Sequence, residues 1–565
     1  MSSPLDWFID ADAIGRYRTP AFTRGNHLHL EREADVYFSD FADQLAHVGA
    51  GTRVLMAGWR FSPEQRLTPR KSQKGVLEFL QDLHARGAIV RAMVYGSAPA
   101  MSPLRIQVPG LPSKDNFDFV KGLREKGIAA FLDDRLAPMG SHHQKAVVIS
   151  SPDADATVAY VGGIDFCLDR YDTALHDFRS ERQTEAPVRL LLVVPVPGSG
   201  ALIHVPVSIS TSQPGWHDVQ AAVRGPAVAQ IWQALVDRWN DPAPVRGLGV
   251  PPIPRSERPV STASGSLAIQ VLRTMPCGGL FRTLAGGEQS VRAATQRAIQ
   301  KARHYIYIED QYFWPSPVMD ALRDAVARGV HVVVMVARDF DIPGISSVHK
   351  NMRAKTATHI RGSHPERFHL FHKERSKNDE AVYVHSKLMI VDDIYLGVGT
   401  ANVNWRSHTN DTELHLGVVD EDLTEAAIGL RPATVGRQIR SIRQDLWAEH
   451  LEMSQAALDD PLEALAHWPS RPGAKVGQAV WHETVVPSGL AADAALGLEL
   501  LFRIWQTSSG WPLIAAPLLA GSGLILRTLP DWNTERFDLG RAARLVGDAA
   551  SFIEDRILNP QRRCP

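Results

Sequence analysis

Two short strings, HHQKAVVIS from His142 and VHSKLMIVD from Val384, each place a histidine two residues before a lysine and run on into apolar sequence. Composition alone predicts about half a chance His-x-Lys pair in a chain of this make-up, so two pairs in matched surroundings are a signal. The second string adds Asp392 five residues after Lys387, and Asn402 and Asn404 follow shortly after. This set suits a phosphodiester. Its phosphorus centre gathers negative charge in a pentacoordinate transition state, which fixed cations and amide donors would hold. Lys145, Lys387 and Asn402 supply such groups. His143 and His385, in opposite protonation states, divide the rest: a neutral imidazole attacks phosphorus and a protonated one delivers a proton to the departing alcohol. Imidazole titrates in the right range for both roles. With lysines carrying the electrostatic work, neither a metal nor another cofactor is expected.

The elements that must position these residues repeat as the motifs do. About 242 residues separate the two histidines, and each motif leads into an apolar run followed by a second, Gly-containing run, VAYVGGIDF from Val158 and IYLGVGTANVNW from Ile394. Short apolar runs bounded by polar residues read as buried strands, so each half offers a strand pair with His-x-Lys at one strand's start. Elsewhere helical and strand patterns alternate, as in GVLEFLQDLHARG before AIVRAMVYG and VMDALRDAVARG before VHVVVMVAR. Such alternation predicts α/β layers with a mostly parallel sheet in each half. The expected fold class is therefore α/β: two similar α/β/α sandwich halves packed as a bilobal pseudo-dimer, plus a C-terminal extension. We place the halves at 1–240 and 267–455, the extension at 456–565, and a linker at 241–266, where six prolines and three glycines forbid a helix or central strand.

The doubled motif resembles that of the phospholipase D superfamily, His-x-Lys-x4-Asp present twice. The stretches AGWRFSPE around Trp59, GGIDFCLDRYDT, PGWHDVQAAVRGPAV, IQVLRT, YIYIEDQYFWP and IRQDLWAEHLE resemble segments of its phosphatidylcholine-hydrolysing branch, over roughly residues 25 to 455. The resemblance implies that His143 forms a phosphohistidine, that His385 protonates the leaving headgroup, and that water or another alcohol resolves the intermediate. It implies that Lys145, Lys387 and Asn402 hold the phosphoryl oxygens, with Trp59, Trp216, His217, Gly163 and Asn404 around the substrate. Gly163 is taken to sit where an Asn counterpart would be in the first half. Asp172 and Glu413 are the candidates to orient the histidines through their other ring nitrogens. Asp392 would be a structural member of its motif. Ser150 stands where the first motif would have Asp, and Asp153 or Asp155 is the expected substitute. The implied activity is hydrolysis of glycerophospholipids to phosphatidic acid, with transfer to alcohols. A phosphatidyl-transferring synthase and a superfamily nuclease are the alternatives.

Composition bounds the partners. With 565 residues, 44% hydrophobic and 22% charged, the chain has ample material for more than one core. Its 61 Lys+Arg against 62 Asp+Glu give a net charge of -1, so no global field draws it to polyanions and nucleic acid is not expected. A phospholipid membrane surface is the expected partner, and sequence assigns no protein partner. Residues 349–379, with eight Lys/Arg and five His, offer either a contact for anionic phosphates or a solvated loop. The 23 residues from Ile504 to Leu526 are free of charge but broken by Pro512 and Pro517, which favours buried packing over a span. Trp481, Trp505, Trp511 and Trp532 around that stretch make 481–530 the expected membrane contact. Three widely spaced cysteines predict no disulfide framework, and Cys167 is expected to pack rather than react. The start lacks a secretory pattern, so the expectation is cytoplasmic synthesis and a cytosolic or membrane-peripheral protein, with signal-independent export compatible.

Overall fold

A computed structural model describes residues 4–484 apart from 11–21, 70, 97–111, 134, 136–139, 177–187, 196–201, 210–214, 242–249, 278–280, 282–285 and 340–345. Trp505, Trp511, Trp532 and most of the expected membrane contact lie outside the described residues.

The first half contributes β1 (Thr23–Arg32), α1 (Ala34–His47), β2 (Arg53–Gly58), α2 (Val76–Ala85), β3 (Ile89–Tyr95), α3 (Pro112–Glu125), β4 (Ala129–Asp133), β5 (Ala146–Ser150) and β6 (Val158–Gly162). A hairpin of β7 (Val188–Pro195) and β8 (Leu202–Ile209) stands apart from the main sheet, followed by β9 (Gly215–His217), β10 (Val219–Arg224) and α4 (Ala227–Trp239). Hydrogen bonding orders the sheet β4-β3-β2-β5-β6-β10-β1. The second half contributes β11 (Leu267–Met275), the two-residue β12 (Glu288–Gln289), α5 (Ser290–Lys301), β13 (Tyr305–Asp310), α6 (Met319–Ala327), β14 (His331–Val336), α7 (Ser346–Arg361), β15 (Phe368–Glu374) and β16 (Ala381–Val384). It continues with β17 (Leu388–Val391), β18 (Tyr395–Gly399), α8 (Trp405–Thr409), β19 (Glu413–Asp420) and α9 (Arg437–Leu451). Its order, β15-β14-β13-β17-β18-β19-β11, repeats the first strand for strand.

In each sheet the strands joined by helical crossovers, β2-β3-β4 and β13-β14-β15, are parallel. The motif-bearing strands β5 and β17 pair antiparallel on both sides, because hairpin returns rather than helices connect them. The α/β class holds, with a mixed sheet in each half.

Strand periodicity divides the core. Along β2, Val54 and Met56 face α1, α2 and α3 with Phe38, Phe41, Leu80 and Phe119, while Leu55 and Ala57 face the other way. That second face is shared: α4 and α9 bring Trp232, Leu235, Trp239, Leu446 and Trp447 into one cluster with strands from both sheets. The edges of the sheets also meet, β1 pairing antiparallel with β11. The N-terminal residues Trp7 and Phe8 pack in the second half's outer core, and Ile9 exchanges hydrogen bonds with Gln270. At the other end, the strand Ala479–Trp481 pairs with β15, so the described part of the C-terminal extension is built into the second sheet. Ile253 of the Pro-rich segment packs in the shared core, and Asn240 holds its backbone on both sides. Cys277 is disulfide-bonded, which its wide spacing did not predict, whereas Cys167 is free and buried. Among the described residues no helix is long and apolar enough to cross a membrane.

The two motif ends differ. Asp392 and Asp393 both adopt positive φ (51° and 53°) in the tight turn from β17 to β18, a conformation that Asp tolerates better than most residues. Asp392 accepts the backbone N–H groups of Arg303 (2.7 Å), His304 (2.9 Å) and Tyr305 (2.9 Å), anchoring the start of β13. Ser150 instead remains inside β5, paired with Arg53. Asp153 caps its own turn through Asp155 N–H, and Asp155 accepts from Thr262, so neither replaces the missing carboxylate. The longer return between β5 and β6 removes the need for one. We expect Asp392→Ala to lower stability by roughly 3 kcal/mol, one buried hydrogen bond for each orphaned amide. Ser150→Asp should leave turnover within about tenfold of wild type; urea unfolding and initial rates check the two.

Candidate active site

The residue before each motif histidine forms a parallel bridge with the opposite half. His142 bridges Thr412, and His143 N–H donates to Thr412 O at 2.9 Å. Val384 bridges His217, and His385 N–H donates to His217 O at 2.7 Å. One residue further along each bridge stands a carboxylate. His143 Nδ1 lies 3.0 and 3.1 Å from the oxygens of Glu413, at the start of β19. His385 Nδ1 lies 2.6 Å from Asp218 Oδ2, at the start of β10. Each imidazole is thus oriented by a carboxylate from the other half. A carboxylate acceptor fixes the Nδ1–H tautomer and leaves Nε2 for chemistry.

Glu413 sits where the sequence expectation put it, but Asp172 does not. Its buried carboxyl accepts Thr173 N–H, Trp216 N–H (2.7 Å) and His176 Nδ1, tying its own turn to β9. The true partner of His385, Asp218, lies in the quoted GWHD string. Its signal was positional: Asp218 and Glu413 each open an apolar strand run that pairs with the return strand of its own half's motif.

Matching the ends of β6 at Gly162 and β18 at Gly399 sets Gly163 against Thr400 and Asp165 against Asn402. Gly163 is therefore not the Asn counterpart. A Cβ there would lie 2.0 Å from Asp218 Oδ1, so glycine makes room for the carboxylate. On the other side Thr400 Oγ1 donates to Glu413 Oε2 at 2.5 Å. Asp165, unremarked in the sequence, accepts Trp59 and Arg60 N–H groups and lies 3.5 Å from Lys145 Nζ. Asn402 is buried with its amide oxygen unpartnered among the described residues. Asn404 caps α8 through Ser407 N–H (2.8 Å) and is a structural residue, not a substrate ligand.

Aromatic groups frame the centre. Trp59 stacks on Tyr95, its ring 6.0 Å from Lys145 Nζ. Trp216 stacks on Tyr383 and lies 4.9 Å from the His385 ring, with Arg170 3.7 Å over its face. His217, expected beside the substrate, is fully buried behind His385 among Glu33, Glu309, Glu449 and Lys373. Cys167 is buried, and burial pushes its thiol well above the usual range, so it packs as expected.

Burial, then Lys145 and Lys387, hold His143 well below the ordinary imidazole value. Burial, Lys387, Arg170, Lys145 and His143 do the same to His385. Burial lowers Lys387 to about 8, with Lys145 adding repulsion and Asp218 opposing. Glu413 is pushed up to about 7 by burial, against its bond from Thr400. Such opposed shifts in one cleft mark a reactive centre. Among the described residues, donor atoms of Glu33, His176, His217 and Glu449 lie close enough to hold a cation. Lys373 Nζ, 2.5 Å from Glu449 Oε1, already supplies one.

Lys387 carries its charge below its pKa, so kcat/KM should fall as pH rises through about 8. A bound phosphodiester anion favours the ammonium, so the corresponding limb of kcat should lie higher. Lys387→Arg should abolish the kcat/KM limb; rate profiles from pH 6 to 10 check this. Asp218→Asn should reduce kcat by about 10²–10⁴-fold, as expected when a proton-transferring histidine loses its tautomer.

Residues 118–335 match the family model Phospholipase D, and residues 296–428 match Cardiolipin synthase, PLD-like domain. Phospholipase D A of Dictyostelium discoideum is 30% identical over 488 residues, covering 76% of this chain and 36% of that protein. Phospholipase D1 of Schizosaccharomyces pombe is 24% identical over 485 residues, covering 72% and 34%. Phospholipase D gamma 1 of Arabidopsis thaliana is 24% identical over 556 residues, covering 75% and 62%. The chain spans about a third of the first two relatives and under two thirds of the third. Two matching models across the doubled motif, and the crossed histidine–carboxylate pairs it builds, place the chain in the phospholipase D superfamily, to which it belongs.

Proposed function

We propose that this chain is a phospholipase D, hydrolysing the headgroup-side phosphodiester of glycerophospholipids to phosphatidic acid and free headgroup. The crossed pairing of His143 with Glu413 and His385 with Asp218 carries the reading. Phospholipase D relatives over most of the chain favour lipid as the substrate. The near-zero net charge disfavours nucleic acid.

In this reading His143 Nε2 attacks phosphorus while Lys145 and Lys387 hold the non-bridging oxygens. Asn402, buried after the second motif, offers its amide NH2 to the same oxygens. His385 gives its Nε2 proton to the headgroup oxygen as the P–O bond breaks. The neutral His385 then takes a proton from water, which attacks the phosphohistidine and releases phosphatidic acid. An alcohol in place of that water yields the transferred lipid.

Both imidazoles are held neutral in the free site by burial and by the neighbouring cations. An arriving phosphodiester anion offsets those cations and raises His385, so the proton needed for the leaving group is taken up with the substrate. The test is headgroup release from mixed phosphatidylcholine, phosphatidylethanolamine and phosphatidylglycerol vesicles in EDTA. Wild type should release headgroup, while His143→Ala and His385→Ala should lose at least 10³-fold. Cleavage of single-stranded DNA without lipid turnover would overturn the lipid assignment.

A further inference from the structure

Behind His385 lies a buried cluster that neither phosphorus nor headgroup touches. His217 meets a carboxylate at each ring nitrogen: Glu33 at Nδ1, with Glu449 3.3 Å from the same atom, and Glu309 3.0 Å from Nε2. Lys373 Nζ lies 3.2 Å from Nδ1 and bonds Glu449. Glu309 also accepts Tyr307 OH at 2.7 Å and His450 Nε2 at 3.0 Å on one oxygen, and Ser386 Oγ at 2.5 Å on the other. Burial raises Glu33 to about 8, but Glu449 at Nδ1 and Glu309 at Nε2 are both held well below the usual carboxylate range, so His217 donates from both nitrogens and is an imidazolium. Against burial and Lys373, Glu33 and Glu309 hold its pKa well above the ordinary value.

Three links run from this cluster to His385. His217 O accepts His385 N–H, Ser386 ties the motif to Glu309, and Asp218, which orients the His385 ring, is the next residue after His217. The nucleophile's side also rests on buried charge, but of a different kind: Asp133 is surrounded by Arg135, Arg238 and His142, with no imidazole held between two carboxylates among the described residues there. Thr412 stands at the position of His217 and bonds His142 Nδ1. Ala57, next to last in β2, stands where β13 has Glu309. Gln144 replaces Ser386 and is held by Arg238. A buried imidazolium anchored by carboxylates from both halves is thus dedicated to one of the two histidines.

We propose that His217, with Glu309 and Ser386, is a positioning group for proton delivery: it fixes the His385–Asp218 pair for protonation of the leaving oxygen and takes no part in attack by His143. His217 keeps both its protons throughout; the only N–H bond broken is His385 Nε2–H, as the leaving O–H forms. This rests on the assignment of His385 as the acid.

Leaving-group dependence separates this role from general damage. Choline leaves as a strongly basic alkoxide and needs the proton, whereas p-nitrophenolate leaves unaided at neutral pH. For His217→Gln and Ser386→Ala, kcat/KM on phosphatidylcholine should fall at least tenfold, and on phosphatidyl-p-nitrophenol no more than about threefold. KM should stay unchanged on phosphatidylcholine, while on phosphatidyl-p-nitrophenol kcat and KM should fall together, because His385 also serves as base in hydrolysis of the phosphohistidine. His385→Ala should show the same split more strongly, while His143→Ala loses both reactions. Ser386→Ala removes a single hydroxyl and keeps the test readable if His217→Gln does not fold. Equal loss on both substrates would overturn the proposal. A wild type that cleaves neither lipid but cleaves thymidine 5′-p-nitrophenyl phosphate and a thymidine dinucleotide would overturn the lipid assignment instead, and the same ratio, taken on that pair, then decides the role of His217.

Discussion

The crossed carboxylates govern everything else in this molecule. His143 is held by Glu413 and His385 by Asp218, and every one of these four side chains is at most slightly exposed. A neutral imidazole donating to a buried carboxylate contributes about 1.5–3 kcal/mol, and both such bonds cross between the halves. Neither half contains a complete oriented imidazole. The shared core under α4 and α9, the β1–β11 edge pairing and the two parallel bridges at His142 and Val384 all serve to keep these pairs in register.

The same closeness sets the electrostatics. Burial and the nearby Lys145, Lys387 and Arg170 hold the two imidazoles neutral, while Glu413 and Asp218 fix the ring orientation from the far side. These cations already have acidic neighbours, Asp165 beside Lys145 and Asp169 beside Arg170. In the proposed reaction the incoming phosphodiester anion adds to that balance and makes a protonated His385 tolerable.

Much of this was legible in the sequence because the chemistry is carried by local spacing. His-x-Lys, the apolar strand beyond it and the Gly-containing return appear twice, and so do the two sheets. Glu413 was legible too, lying a short way past its own motif. Asp218 was not, because it lies far past its own motif, beyond the β7–β8 hairpin, and nothing local distinguishes it from Asp172, which satisfies backbone amides nearby. Asn404 misled for the reverse reason: an Asn beside a catalytic stretch is also a good helix cap. Gly163 was read by type rather than by register, and register depends on where β6 and β18 end.

Where the two halves depart from their shared plan, the departures track the division of labour between the histidines. Thr400 supplies a hydroxyl to Glu413, while Gly163 supplies only space to Asp218. Lys145 faces Asp165, whereas the matching position after the second motif is the uncharged Asn402. Thr412 and Ala57 face the charged His217 and Glu309 across the pseudo-symmetry. Behind His143 the buried charges are Asp133, Arg135 and Arg238, the last of which holds Gln144 of the motif. An acid must gain and lose a proton in each turnover without moving, and a dense ionic cluster behind its backbone resists displacement as its charge changes. Duplication alone would give two equivalent imidazoles; in the proposed mechanism the unequal surroundings assign attack to His143 and proton delivery to His385.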